Sequence, residues 1–147
     1  MSELNELYQE LIIDHSKRPR NFHRLEDPKR TAQGYNPLCG DKITLDVKLE
    51  NNHIGDIGFQ GSGCAISTAS ASLMTESVKG KTLQEADVLF DKFHSLITND
   101  KADASGMGKL AVFSGVREFP ARAKCATLAW HTLRAALQER DTPVSTE

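Results

Sequence analysis

Residues 42–49 alternate without a break. Ile43, Leu45, Val47 and Leu49 are apolar, and Lys42, Thr44, Asp46 and Lys48 between them are polar. Successive side chains of an extended chain point to opposite faces, so this stretch reads as a β-strand with one face buried. Asn51-Asn52 supplies a turn, and residues 54–61 return as a second strand. A third strand over 30–35 completes a small antiparallel sheet.

The other patterns are helical. Leu4, Leu7, Tyr8, Leu11 and Ile12 recur at three- and four-residue spacing over 3–17, with Ser2 as N-cap and Pro19 as terminator. Residues 18–28 hold two prolines and read as an irregular connection. After the strands, residues 65–78 carry Ile66, Ala69, Leu73 and Met74 along one side, and Lys79-Gly80 closes that helix. Thr82 and Glu85 form a capping box for a helix lined by Leu83, Ala86, Leu89, Phe90, Phe93 and Ile97. Residues 98–107 are expected to loop, 108–115 to form a short helix, and 122–139 a last helix lined by Leu128, Ala129, Thr132, Leu133, Ala136 and Leu137. The tail after Asp141 is expected to be loose. Strands first and helices after them imply one α+β domain across residues 1–147.

Charge and composition narrow the function classes. The net charge of −2 gives no reason to expect nucleic acid, and no apolar run is long enough to span a membrane. Basic residues cluster at Lys17-Arg18-Pro19-Arg20 and Lys29-Arg30, as a solvated surface or a patch for an acidic partner. The acidic amphipathic start lacks the pattern of a signal peptide, so a cytoplasmic location is expected. In that compartment cysteines are more often ligands or nucleophiles than disulfides.

The three cysteines lie in Asn36-Pro37-Leu38-Cys39-Gly40-Asp41, Gly61-Ser62-Gly63-Cys64-Ala65-Ile66-Ser67 and Phe119-Pro120-Ala121-Arg122-Ala123-Lys124-Cys125-Ala126. An odd count argues against a simple disulfide framework. Three thiolates and the carboxylate of Asp41 make four donors, the number of a tetrahedral zinc site. Gly40 lets the chain bend between Cys39 and Asp41. Cys64 opens a helix, where free N–H groups favour a thiolate. Cys125 is expected in the first turn of the last helix, with Arg122 and Lys124 as positive neighbours. The same residues have plainer readings, cysteine as a small buried hydrophobe and aspartate as a turn former. No paired C-x-x-C hook decides between them. His15 and His131 are weaker ligand candidates, and Gly61-Ser62-Gly63 lacks the lysine and spacing of a phosphate-binding loop.

Asn-Pro-x-Cys-Gly-Asp, Gly-x-Gly-Cys-Ala-Ile-Ser and Lys-Cys-Ala-Thr-Leu-Ala-Trp, in this order, resemble the IscU/SufU family of iron–sulfur cluster assembly proteins. So does the Leu-Tyr…Ile-x-Asp-His…Pro-Arg-Asn stretch at 7–21. The chain looks like the SufU branch. Lys124 stands where the Isc branch typically has a histidine, and Phe119-Pro120-Ala121-Arg122-Ala123-Lys124 replaces its Leu-Pro-Pro-Val-Lys chaperone motif. Cys64 and Cys125 lie 61 positions apart, which resembles the SufU insertion, placed here within 90–115.

The resemblance implies a three-stranded antiparallel sheet packed against a helical layer. It implies zinc held by Cys39, Asp41, Cys64 and Cys125. It also implies a SufS-type cysteine desulfurase as sulfur donor, Cys39 as acceptor and a SufB-containing assembly complex as receiver. On this reading the protein is a sulfurtransferase-type carrier that stimulates the desulfurase, and Cys39 is freed by ligand exchange at zinc. Arg122 and Lys124 are candidates for stabilising the persulfide charge. The alternative within the family is a scaffold for a transient [2Fe–2S] cluster, since cysteine suits such clusters as well as zinc.

Overall fold

The computed structural model describes residues 2–28, 30–37, 39–98, 107–138 and 144–145. The elements in order are α1 (Ser2–Lys17), β1 (Arg30–Asn36), β2 (Asp41–Glu50), β3 (His53–Ser62), α2 (Ala65–Val78), α3 (Leu83–Thr98), a 3₁₀ segment (Gly108–Glu118), α4 (Pro120–Leu137) and β4 (Val144–Ser145). The α+β class read from the sequence is the one observed. The loop expected over 98–107 falls largely on residues outside the described ones, as does most of the tail after Asp141.

β1, β2 and β3 form the antiparallel core of the sheet, with Ala32 opposite Leu45 and Leu45 opposite Phe59. Asn51 and Asn52, both at positive φ, make the β2–β3 turn. The sheet has four strands rather than three, in the order β3-β2-β1-β4. β4 is two residues long and pairs in parallel with β1, Gly34 opposite Val144 and Tyr35 opposite Ser145. Two residues are too few to carry an alternating pattern. What makes them a strand is the open edge of β1, a partner supplied only by tertiary folding.

The helices cover one face of this sheet. Leu45, Val47, Ile54 and Ile57 are buried against Leu73, Met74, Leu128 and Trp130. α4 lies directly on β1: a Cβ at Gly34 would stand 2.2 Å from Thr132 Oγ1 and 3.0 Å from Leu128 Cδ1. α2 reaches α4 through small residues, and the Ser70 hydroxyl donates to the Ala126 carbonyl. Phe93 joins α3, α4 and the 3₁₀ segment, stacked on Trp130 at 4.6 Å and edge-on to Phe113 at 5.6 Å. The capping box is observed in both directions, Thr82 N–H to Glu85 Oε1 and Glu85 N–H to Thr82 Oγ1, each at 3.0 Å. Among the described residues no helix is long and apolar enough to cross a membrane.

The polar face of β2 holds a surprise for an alternating strand. Asp46 is fully buried, because the connection after α1 folds over it. Arg24 Nε and Nη2 reach its two oxygens at 2.6 and 3.1 Å, Thr31 Oγ1 donates at 2.7 Å and Leu25 N–H at 3.1 Å.

A second buried polar contact pins α1 to α2. His15, 0% exposed, has Nδ1 2.7 Å from Ser72 Oγ, which also accepts the Arg20 N–H at 2.8 Å. Burial of this ring disfavours its charged form. Burial pushes the His15 pKa below 6.5. Arg20 and Lys109 act the same way, against Glu76 and Asp14, which raise it. His131 is lowered too, by burial first and then by His94 and Arg134. Both rings bind protons more readily in the unfolded chain, so folding stability falls as pH drops below the unfolded value of about 6.5. The urea midpoint should therefore decrease between about pH 7 and about pH 5, with a smaller decrease in His15→Gln. A midpoint that is flat over this window in both proteins would show that neither histidine resists protonation.

Candidate metal centre

Three loops and helix starts converge at one end of the sheet. The turn between β1 and β2 carries Cys39, with its N–H on the Asn36 carbonyl at 3.3 Å. Gly40 follows at φ +72°, and among the described residues, its two chain neighbours aside, no atom lies within 4 Å of where its Cβ would be. Asp41 is the first residue of β2 and is paired across the sheet with Asn36. Cys64 caps α2 in an extended conformation, and its sulfur accepts the Ser67 N–H at 3.4 Å. Cys125 comes from α4.

Cys39 Sγ, an Asp41 carboxylate oxygen and Cys125 Sγ all lie within 4.8 Å of one another. Cys64 Sγ approaches Asp41 Oδ2 at 4.0 Å but is outside that group. The burial gradient is steep: Cys39 is exposed, Cys64 half-buried and Cys125 buried. His15 and His131 are not part of the group. His15 is bonded to Ser72, and His131 packs edge-on to Phe90 and His94. Arg122 and Lys124 are exposed, and the Arg122 guanidinium sits 4.9 Å over the Phe119 ring.

The setting of Cys125 differs from the one expected. α4 begins at Pro120, so Cys125 lies in its second turn rather than its first. The dipole effect fades within the first turn. Burial, and then the hydrogen-bonding neighbours Cys39, Asp41 and Cys64, push the Cys125 thiol well above its ordinary pKa of 9.0. Four potential anions crowd this point, and their mutual repulsion is what a bound cation would relieve. The two soft sulfurs of Cys39 and Cys125 with the hard carboxylate of Asp41 form a donor set able to hold a metal ion.

Two supporting residues were not singled out in the sequence. Buried Asn36 turns its amide nitrogen to Asp41 Oδ2 at 3.1 Å and to Cys125 Sγ at 3.3 Å, bridging two of the candidate ligands. Cys64 N–H holds the other oxygen, Oδ1, at 2.9 Å. That approach requires Gly63, since a Cβ there would stand 2.3 Å from Asp41 Oδ1. Their only sequence signal is position: Asn36 opens the Asn-Pro-x-Cys-Gly-Asp segment and Gly63 precedes Cys64.

The profile of a family described as NifU-like N-terminal domain matches residues 7–126, most of the chain and all of this site. This chain belongs to the NifU-like N-terminal domain family. Its similarity to other NifU-like proteins extends over nearly its whole length. It is 44% identical over 139 residues to a protein of Streptococcus pyogenes serotype M1 named iron–sulfur cluster assembly scaffold protein IscU, covering 94% of this chain and 87% of that one. It is 39% identical over 141 residues to the zinc-dependent sulfurtransferase SufU of Bacillus subtilis strain 168, covering 95% of each. A solved structure from Fervidobacterium islandicum AW-1, described as a candidate iron–sulfur cluster assembly scaffold protein for the SUF system, superposes with a TM-score of 0.84. It is 35% identical and covers 90% of this chain and 98% of that one. The IscU/SufU resemblance of the motifs is thus shown at family level, and the relatives carry two different roles.

Proposed function

We propose that this NifU-like protein is a sulfur carrier of iron–sulfur cluster assembly that takes sulfane sulfur from a SufS-type cysteine desulfurase onto Cys39. The observation that carries this reading is the asymmetry of the three cysteines. Cys39 is exposed beside an unobstructed Gly40, while Asp41 and Cys125 behind it are buried. A docked persulfide can reach Cys39 first. Cys39 Sγ attacks the outer sulfur of the donor persulfide, a new S–S bond forms, and the donor cysteine leaves as its thiolate.

The ligand set we assign is Cys39, Asp41, Cys64 and Cys125, with zinc as the metal. A zinc ion there would keep these thiols deprotonated at neutral pH and ready to exchange. Asn36 and the Cys64 N–H hold the Asp41 carboxylate in place. Lys124 or Arg122, both exposed and within three residues of Cys125 in the chain, would attract the charge of a loaded persulfide. The receiver would be a SufB-containing complex in the cytoplasm. The zinc-dependent relative from B. subtilis and the lysine at position 124 support this choice.

The name of the S. pyogenes relative favours a second reading, a scaffold on which a [2Fe–2S] cluster is assembled. Anaerobic purification separates the two. Colourless protein with one zinc per chain supports the carrier; brown protein with iron and acid-labile sulfide supports the scaffold. The carrier reading is tested by giving Cys39→Ala a desulfurase and cysteine. Persulfide on the protein should be lost, and persulfidation at the normal rate would remove Cys39 from its role.

A further inference from the structure

Four lysines that are scattered along the sequence meet in one groove. Two adjoining cavities, of about 420 and about 640 Å³, share Lys81 and Leu89 on their walls. Lys92 and Val88 line the first, and Lys79 and Lys109 line the second. The cations come from the α2–α3 connection, from α3 and from the 3₁₀ segment. We propose that this groove is a docking site for an acidic amphipathic segment of a partner protein, bound at the far end of the molecule from the metal centre. Such docking is independent of the sulfur chemistry at that centre.

Charge selects the occupant. The carboxylates on the described walls, Glu76 and Glu85, are both engaged. Glu85 Oε1 accepts the Thr82 N–H at 3.0 Å, and Glu76 lies 3.7 Å from Lys109 Nζ and 3.8 Å from His15 Nε2. Lys79 is paired with Asp56 at 3.2 Å. Lys81 and Lys92 form no ion pair among the described residues, so a chain of net charge −2 carries a locally positive groove. Val88 and Lys92 are four residues apart on α3 and share a face, and Val88 is 49% exposed. An apolar centre flanked by cations complements a segment that presents an apolar side chain between carboxylates. Nucleic acid would call for arginine or stacking aromatic side chains, and the described walls hold neither.

The backbone beneath these lysines is held in place before any partner arrives. Gly80 N–H donates to the Ile54 carbonyl at 2.7 Å, Ile54 N–H to the Lys81 carbonyl at 2.8 Å and Leu83 N–H to the Asn52 carbonyl at 3.1 Å. The α2–α3 connection is thereby clamped to the β2–β3 turn, and little ordering of the backbone remains to oppose binding. That turn lies at the opposite end of the sheet from the β1–β2 turn that carries Cys39. α2 spans the same distance, with Cys64 at its start and Lys79 just past its end. Its 14 residues rise about 21 Å. A partner seated on the lysines therefore leaves the metal centre open to a second partner.

The test titrates the isotope-labelled full chain with a synthetic helical peptide of leucine and glutamate, followed by amide NMR. The amides of Lys81, Val88, Lys92 and Lys109 should shift, while those of Cys39 and Cys64 stay in place. Raising the salt from about 50 to about 500 mM should weaken binding about tenfold. Lys92→Glu and Val88→Ser should each weaken it about tenfold as well. Both side chains are exposed, so the two variants keep the fold, and either one suffices for the comparison. Polyglutamate, which has the charge without the apolar side chains, should bind at least about tenfold more weakly. Equal binding of polyglutamate or inorganic phosphate would reduce the groove to bare charge and overturn the proposal. So would an absence of shifts, shifts centred on Cys39, dimerisation of the chain through these lysines, or anionic vesicles moving the same amides in place of the peptide.

Discussion

Gly63→Ala should abolish tight metal binding while leaving the chain folded. The Cβ it introduces would stand 2.3 Å from Asp41 Oδ1 and 3.0 Å from its Cγ, so the carboxylate must swing away. Oδ1 then loses the Cys64 N–H that orients it. The φ of Gly63 lies outside the left-handed region, so alanine fits the backbone itself. The loss to folding is one helix-capping acceptor, worth about 1 kcal/mol. The loss to the site is a ligand together with its support, and zinc affinity should fall by about a hundredfold or more. Competition with a chromogenic chelator measures the first effect, and thermal unfolding of the apo protein separates it from the second. Parental affinity in Gly63→Ala would remove Asp41 from the ligand set.

Asp46→Ala should have the opposite profile, a large loss of stability with no change of ligand. The carboxylate it deletes is buried and accepts from Arg24, Thr31 and Leu25. Breaking a fully buried ion pair costs about 3–5 kcal/mol. Arg24 is half exposed and can turn to water, so the cost here is closer to about 2–3 kcal/mol, from the stranded Leu25 N–H and Thr31 hydroxyl. Urea unfolding at neutral pH reads this directly. Burial by itself would raise the Asp46 pKa, but the bonds from Arg24, Thr31 and Leu25 outweigh it and hold it below 3.8. Its contribution is therefore complete above the unfolded pKa, and is lost as pH falls through the lower folded value. Asp46→Ala should unfold with a weaker pH dependence than the parent in that acid range. A change below about 0.5 kcal/mol at neutral pH would show that water replaces the carboxylate at no cost.

These two positions show how far local pattern reaches. The alternation of 42–49 located β2 and placed Ile43, Leu45 and Val47 in the core. It also put Asp46 on the solvent side, which the chain between α1 and β1 then covered. Alternation reports which face a side chain takes, and nothing about what later folds over that face. Asn51-Asn52, Lys79-Gly80 and Thr82…Glu85 were legible because each acts within a few residues. β4 was not, because its hydrogen-bond partner is more than a hundred residues away in the chain.

The same distinction holds at the candidate metal centre. Residue type and neighbouring motif singled out Cys39, Asp41, Cys64 and Cys125 from the amino-acid order alone, because the soft donors, the turn glycine and the helix start are local properties. The order of residues also determined the α+β class and the family. Only folding decided that Cys39 is outermost and Cys125 buried with a raised pKa, that Asn36 bridges Asp41 and Cys125, and that Gly63 makes room for a carboxylate. Burial and proximity are created when β1, α2 and α4 pack together, and segments far apart in sequence carry no mark of the distances at which they will meet.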